Sequence, residues 1–598
     1  MIEYSKHTSI WTSGELDTAA YITEKKMKYR EVITQTTQTK EWILSRDTIE
    51  RLLPGVRREV TDIEASYPQR NLPDGAEVTR IAPSPTGFMH LGVLYASLIS
   101  ERIAHGSDGV FFLRIEDTDR KREVKGAREF IIDSLANFGV HTDEGVGRHE
   151  TENGKYGPYT QSQRKEIYQS YIKKMLARGD AYPCFMTSDE LEAMTKHQNK
   201  LRVRPGYHGS WAEWRDRPEA DVLAALDRGM PFVIRYRSTG DIKKRRIIQD
   251  AARGKLEMPE NDNDIVIMKH DGLPTYHLAH VIDDYLMHTT IVVRGDEWIP
   301  STTLHMQLCE TLGYKPFTYA HIAPLQKIEG NSRRKLSKRK DPEANIGYYT
   351  KQGYLPQVLI EYLLNQANSA YEGWRYSNPN TPNTEYKLSI GNLSKSGALF
   401  NLDKLDSISA DYIATINAEE LYPLIADWAN KYDQIFYRAF TQDPQYSIAV
   451  LNIEHGGDQP RKDMKHFSQA PDLYGYFFDE IYNQLTVEPS IQEQVDKIDL
   501  KVQQQLVNDL LENYDLTDSN ESWFAKLKQT AESLGFTSDR KKYRNSPELY
   551  EGLIADAAMV IRVGLTKRNK SPSLHEIMRA MGAERVNKRL HLFVKNLT

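Results

Sequence analysis

The sequence predicts a parallel α/β sheet, interrupted by an inserted α/β segment and followed by an all-helical region. Three observations carry this. Strand-like and helix-like stretches alternate over residues 77–138. Polar clusters rich in Pro, Gly and acidic side chains follow the strands. From about Gly347 onward helical periodicity dominates. The bulk properties agree. At roughly 150 residues per domain, 598 residues make about four units. Lys and Arg total 78 against 83 Asp and Glu, a net charge of −5, which excludes a wholly polybasic mode of nucleic-acid binding but leaves room for a local basic face. The apolar fraction of 39% suits a chain that buries large cores and excludes wholesale disorder. Cys184 and Cys309, the only two cysteines, cannot build a disulfide framework or a cysteine-rich zinc site, so a reducing cytoplasm is expected. The N-terminus lacks the apolar core of a signal peptide, and no uninterrupted run of about 18 apolar residues occurs, so no membrane span is expected.

Residues 1–74 are polar and mixed in charge. Residues 39–53 carry helical spacing (Trp42, Ile43, Leu44, Ile49, Leu52, Leu53) that Pro54-Gly55 stops, so a helical extension without a chemical motif is expected. Residues 78–81 read as a short buried strand, after which Pro83, Pro85 and Gly87 enforce a loop. Residues 91–103 read as a helix, 110–115 as a second strand ending in Glu116-Asp-Thr-Asp119, and 124–138 as another helix. In parallel sheets functional loops lie at the carboxyl ends of strands, where both polar clusters fall. An inserted α/β segment is expected over 176–262, with a helix at 188–197, a strand at 231–236 and the basic run Lys243-Lys-Arg-Arg246. Residues 265–268 and 291–294 then return to the α/β pattern. Helices are expected over 357–365, 418–430, 472–485 and 546–563, the last with Ser546 as N-cap and Pro547 as first helical residue.

Two segments bear chemistry. In Arg80-Ile-Ala-Pro-Ser-Pro-Thr-Gly-Phe-Met-His-Leu-Gly92, His90 and Gly92 fall at a helix start. Free N–H groups and the positive dipole end there suit a polyphosphate, Gly92 permits close approach, and His90 can donate to a phosphate oxygen. Alone, a His in that position serves more often as a cap. The chain has no GxxxxGK[ST] loop. In Arg333-Arg-Lys-Leu-Ser-Lys-Arg-Lys340 a basic loop, in isolation usually a solvated face, offers Lys338 to charge developing on phosphates.

Together these segments resemble the HIGH and KMSKS signatures of class I aminoacyl-tRNA synthetases. Ala82-Pro-Ser-Pro-Thr-Gly87, Leu113-Arg-Ile-Glu-Asp-Thr-Asp-Arg120, Gly157-Pro-Tyr-Thr-Gln-Ser-Gln-Arg164, Asp271-Gly-Leu-Pro-Thr-Tyr-His-Leu-Ala279, Asp283-Asp-Tyr-Leu-Met287 and Val293-Arg-Gly-Asp-Glu-Trp298 narrow this to a resemblance to the bacterial glutamyl-tRNA synthetase family. Ser571-Pro-Ser-Leu-His-Glu-Ile-Met578 and Glu584-Arg-Val-Asn-Lys-Arg-Leu590 resemble that family's helical tail. The match is dense to Leu364, sparse from there to about Leu553, and leaves residues 1–74 outside.

The resemblance implies a Rossmann-like catalytic domain in two halves (75–175 and 263–332) around an acceptor-stem-binding insertion (176–262). A KMSKS loop with a helical stem-contact domain (333–411) and a helical anticodon-binding domain (412–598) would follow. It implies ATP at His90, Gly92, Glu297, Trp298 and the loop Lys335, Leu336, Ser337, Lys338 and Arg339, with His90 and Lys338 catalytic. Glutamate would lie among Arg80, Ala82, Ser84, Glu116, Tyr276, His280 and Arg294. The two arginines would take its side-chain carboxylate with Tyr276, Glu116 its ammonium, and Ser84 its α-carboxylate. The implied reaction makes glutamyl-adenylate and pyrophosphate, then glutamyl-tRNA(Glu) and AMP, with Mg²⁺ on the ATP phosphates. Charging of tRNA(Gln) with glutamate is the alternative. A cytoplasmic monomer without membrane contact is expected. Departures from the family pattern are His280, where relatives often carry Asn or an apolar residue, and Asp403-Lys-Leu-Asp-Ser-Ile-Ser409, which lacks the Trp-Asn that often follows Lys-Leu. Tyr182-Pro-Cys184-Phe holds one cysteine where zinc-binding relatives have several, so no zinc is expected. RNA contacts are expected at Lys243 to Arg246, Arg540-Lys-Lys-Tyr-Arg544 and Lys567-Arg-Asn-Lys570. The Ala82-Pro-Ser-Pro run and the helical tail count against glutaminyl-tRNA synthetase. Intact His90, Lys338, Arg80 and Arg294 count against a non-catalytic tRNA-binding paralogue.

Overall fold

The computed structural model describes residues 42–455 and 460–596. Residues 1–41 of the expected N-terminal extension, with the start of its expected helix, lie outside them. The described part of that helix is shorter, Arg46–Leu52, because Ser45 caps it: its Oγ accepts from the Thr48 N–H at 3.3 Å.

Strand β1 (Val78–Ile81) is buried at all four positions, as a strand covered on both faces must be. It pairs in parallel with β2 (Val110–Leu113), Val78 opposite Val110 and Ile81 opposite Leu113. β2 pairs in parallel with β3 (Glu144–Val146), which turns antiparallel into β4 (Glu152–Asn153). The helices Leu91–His105 and Ala127–Asn137 make the two crossovers that parallel pairing demands.

In the insertion, β5 (Ala181–Cys184) and β6 (Val233–Tyr236) pair antiparallel, and β7 (Arg245–Asp250) with β8 (Gly254–Pro259) forms a separate hairpin. β9 (Val266–Met268) pairs antiparallel with β6. Residues 265–268 therefore extend the insertion's sheet instead of rejoining the parallel pattern. Apolar periodicity fixes a strand but not the neighbour it takes. β10 (Ile291–Gly295) and β11 (Thr318–Ile322) form a second parallel pair. This pair sits beside β1, since the Thr290 N–H donates to the Val78 carbonyl at 2.9 Å and the Val78 N–H to Thr290 Oγ1 at 2.8 Å. The strands bearing Arg80 and Arg294 are thus neighbours. The tip of the β7–β8 hairpin joins β11 through Ala251 N–H to the Tyr319 carbonyl at 2.8 Å, which brings Asp250 to His321. β12 (Gln326–Glu329) and β13 (Ser332–Lys335) form the hairpin that carries the basic loop.

The remainder is helical, including Pro356–Ala367 and Ala418–Tyr432. Two expected helices are broken. Over 472–485 the chain forms Ala470–Tyr474, a 3-10 turn Gly475–Phe477 and Asp479–Tyr482, because Tyr476, Phe477 and Phe478 all turn inward. Over 546–563, Ser546 and Pro547 open only the turn Pro547–Leu549. Gly552, at φ +155°, interrupts, and the helix starts at Ile554 with Asp556 Oδ2 accepting from the Leu553 N–H at 2.8 Å. Among the described residues no helix is long and apolar enough to cross a membrane.

Residues 42–74 lie as a strap across the parallel-sheet layer and the insertion. Glu64 Oε1 accepts from the hydroxyls of Tyr171 and Tyr314, each at 3.1 Å. Arg70 forks onto Glu144 at 2.9 Å and lies 3.8 Å over the Tyr156 ring. Arg51 meets Asp227 at 2.7 Å.

Candidate active site

At the carboxyl ends of β1, β2 and β10 opens a cavity of about 850 Å³. Arg80, Ala82, Ser84, Glu116, Tyr276 and Arg294 line one end of it. His90, Gly92, Glu297, Trp298 and Lys335 line the same cavity. The remaining residues expected at the site lie outside this lining. Leu336 is 2% exposed and belongs to the core beneath the basic loop. His280 is fully buried behind Tyr276, ring stacked on ring at 5.7 Å, with Nδ1 2.6 Å from Asp284 Oδ2. It thus touches the cavity wall from behind. Lys338 reaches the loop between β1 and its helix, where Nζ donates to the Phe88 carbonyl. Ser337 anchors its loop through its backbone, donating N–H to Asp341 at 2.9 Å, while Arg339 is exposed.

Arg80, 4% exposed, sits in a buried ionic network. Its Nε donates to Asp284 at 3.2 Å and a terminal nitrogen to the Val293 carbonyl at 3.3 Å. Arg114 donates to the same Asp284 at 2.6 Å and to Glu116 at 3.1 Å. Behind it Asp283 accepts from Arg164 at 2.7 Å, Gln161 at 2.9 Å and Tyr168 at 2.8 Å. These bonds satisfy charges that would otherwise be very costly to bury. Burial pushes the Glu116 carboxyl up to about 7, with Arg114 and Arg80 pulling against it. Arg294 is held differently: its nitrogens meet His321 at 2.9 Å, His305 at 3.0 Å and Thr302 at 2.9 Å, and its guanidinium lies 4.4 Å over the Tyr319 ring. Tyr276 packs 4.4 Å from Trp298, ring to ring.

At the other end His90 is the N-cap of Leu91–His105, its Nδ1 accepting from the Gly92 N–H at 2.9 Å. The cap reading and the phosphate reading are therefore compatible, because that bond leaves the proton on Nε2 as a donor. Burial lowers the His90 pKa, Lys338 lowers it further, and the Leu336 backbone opposes them, so the ring is neutral. A Cβ on Gly92 would come 3.1 Å from His90 Nδ1, so glycine here serves the cap as well as the cavity. Lys335 pairs with Glu297 at 2.7 Å in a half-exposed bridge.

Sequence reasoning missed the supporting shell: Asp250, His277, His305 and His321 around Arg294, and Arg114 and Asp284 under Arg80. Arg114 and Asp284 lay inside quoted motifs, and the adjacent acids Asp283-Asp284 ending the apolar run Val281-Ile282 were a usable signal. It also missed a cationic rim of Arg120, Lys121, Arg122 and Lys269. Of the expected RNA-contacting runs, Lys243 and Lys244 are exposed, while Arg246 pairs with Glu310 at 3.0 Å and Arg568 with Asp472 at 2.5 Å. The run at 540–544 opens a short helix, Arg540–Asn545, without a buried residue.

Residues 77–407 match the family model described as tRNA synthetases class I (E and Q), catalytic domain. The chain is 44% identical to a glutamate–tRNA ligase of Clostridium perfringens (strain SM101 / Type A), over 88% of this chain and 95% of that one. It is 43% identical to a glutamate–tRNA ligase of Sorangium cellulosum (strain So ce56), over 90% and 98%. A crystal structure of a glutamate tRNA ligase from Elizabethkingia meningosepticum in complex with its amino acid superposes with a TM-score of 0.66 at 25% identity, covering 87% of this chain and all of that one.

Proposed function

This chain belongs to the class I tRNA synthetases of the E and Q family, and on that premise we propose that it joins L-glutamate to tRNA(Glu) using ATP, through a glutamyl-adenylate. The observation that carries the reading is one cavity holding two buried guanidinium groups, those of Arg80 and Arg294, with a titratable carboxyl and a capped helix start. Arg80 and Arg294 take the side-chain carboxylate of glutamate, with the Tyr276 hydroxyl donating. Glu116 pairs with the ammonium. Ala82 and Ser84 flank the α-carboxylate. Gly92, Trp298 and Glu297 hold the nucleoside, and His90 Nε2–H donates to a phosphate oxygen. An α-carboxylate oxygen attacks the α-phosphorus in line, and the bond to the β-phosphate oxygen breaks. Pyrophosphate leaves against Lys335, Lys338, Arg339 and the backbone of Leu336 and Ser337. No side-chain nucleophile is needed, since positioning and charge stabilisation carry the step. A ribose hydroxyl of the tRNA's terminal adenosine then attacks the mixed anhydride and releases AMP.

Among the described residues no three His, Cys, Asp or Glu cluster to hold a metal ion. Mg²⁺ would accompany the ATP phosphates and offset part of their charge. In this reading the insertion takes the acceptor stem, the helical regions after it take the stem and anticodon, and the protein works as a cytoplasmic monomer.

The test is tRNA-dependent pyrophosphate exchange and charging with labelled glutamate, on purified tRNA(Glu) and tRNA(Gln) separately. Glutamate-dependent exchange and charged tRNA(Glu) are expected. Glutamate giving no more signal than buffer overturns the reading, and label on tRNA(Gln) would extend the acceptor range.

A further inference from the structure

Arg80 and Arg294 face one cavity, yet only Arg80 has a carboxylate partner. Asp284 stands 3.2 Å from Arg80, whereas among the described residues no carboxylate pairs with Arg294. Its partners are neutral. Nε donates to His321 Nε2 at 2.9 Å, one terminal nitrogen meets His305 Nδ1 at 3.0 Å, and the other donates to Thr302 Oγ1 at 2.9 Å and the Trp298 carbonyl at 3.4 Å.

A guanidinium has five donors and no acceptor, so each imidazole nitrogen facing it is an unprotonated acceptor. That fixes two tautomers. The His321 proton sits on Nδ1, 2.5 Å from Asp250 Oδ2. Asp250 is in turn held by the N–H groups of Ala252 at 3.0 Å and Arg253 at 2.8 Å. The His305 proton sits on Nε2, 2.9 Å from His277 Nδ1. Burial keeps these rings neutral: it drives the His305 pKa well below its ordinary value and, with Arg294 adding to it, lowers that of His277 to about 4.

We propose that His305 and His321 set the acidic-side-chain specificity of this cavity by holding Arg294 through neutral acceptors, which leaves its positive charge for the substrate's carboxylate. This rests on the glutamate reading above. A carboxylate ligand gives the buried cation its missing counter-ion. An amide of the same shape leaves it uncompensated, which is a rejection built on charge and not on volume. His305 and His321 are positioning residues, acting through Arg294.

The decisive variant is His305→Asp, which places an internal carboxylate against Arg294. With the full-length protein and its tRNA, KM for glutamate should rise at least ~10-fold with kcat held within about threefold, and the glutamate-to-glutamine ratio of kcat/KM should fall at least ~10-fold. His305→Asn, a neutral acceptor, should keep that ratio within about threefold. An unchanged ratio in His305→Asp, or an equal loss in His305→Asn, overturns the proposal. If His305→Asp does not fold, Asp250→Asn decides. Its amide can donate to His321 Nδ1, moving the ring proton to Nε2 against Arg294, so the same loss of ratio is expected and an unchanged ratio overturns the proposal. A wild-type protein that activates no glutamate would sink the underlying reading instead.

Discussion

At the Arg80 end of the cavity Arg80, Arg114 and Asp284 are almost wholly buried and bonded to one another, Arg114 to Asp284 at 2.6 Å. At the basic-loop end Lys335 and Glu297 make their bridge with about half of each side chain in solvent. The two ends differ in how freely a charge can change partners. A buried ion cannot leave its partner without stranding a charge, so the first end is rigid and can select. An exposed pair is nearly worthless in free energy, so Lys335 can exchange Glu297 for a phosphate at little cost.

Three measurements break or sharpen this contrast. The largest effect is expected from Arg114→Met, which leaves Asp284 and Glu116 short of a cation. It should cost about 3–5 kcal/mol of stability, read by denaturant unfolding. A loss under about 1 kcal/mol, the range of a surface bridge, would erase the distinction. Next is pH. Glu116 is lifted by burial to about 7, and in the role proposed for it above it must ionise to pair with an ammonium. Below pH 7, kcat/KM for glutamate should rise about tenfold per unit and then level off. The folded form holds this proton more tightly than the unfolded chain, whose value is near 4.5, so this group's contribution to stability falls as pH rises from 4.5 through 7. Glu116→Gln should flatten both profiles, and a kcat/KM profile already flat in the wild type would remove Glu116 from the role. The smallest effect is expected from Glu297→Gln. Stability should stay within about 1 kcal/mol and KM for ATP should shift only about two- to threefold. A large destabilisation would show the exposed end to be locked in place like the buried one.

What the sequence made legible follows the same division. Ser84 to His90 and Glu116 to Asp119 follow apolar strands, so local pattern marks those loops, while the roles given to Arg80, Ser84 and Glu116 rest on the family resemblance. The shell around Arg294 was not legible. Asp250, His305 and His321 come from a hairpin, a helix and a strand, and a solitary histidine has no periodicity to betray it. His280 was expected in the pocket from the family resemblance, directly after the motif that holds Tyr276. One helical turn apart, the two rings stack, which puts His280 on the far side of Tyr276. The helix expected over 546–563 failed for a local reason, since Gly552 takes a backbone conformation that a helix cannot contain. The whole-chain class of parallel sheet, insertion and helical tail was legible, but the antiparallel pairing of β9 was not, because register depends on a partner some thirty residues distant.

The strap of residues 42–74 has a consequence for the order of events on the ribosome. It is made before its partners: Glu64 needs Tyr171 and Tyr314, and Arg51 needs Asp227, all further along the chain. Chains grow at roughly 5–20 residues per second, so the strap waits through the making of about 250 further residues, tens of seconds at the slower rate, before its last partner exists. Its final docking is therefore a late clasp, closing after the parallel-sheet layer and the insertion have both emerged. A nascent chain stalled before Tyr314 should leave that segment open to protease.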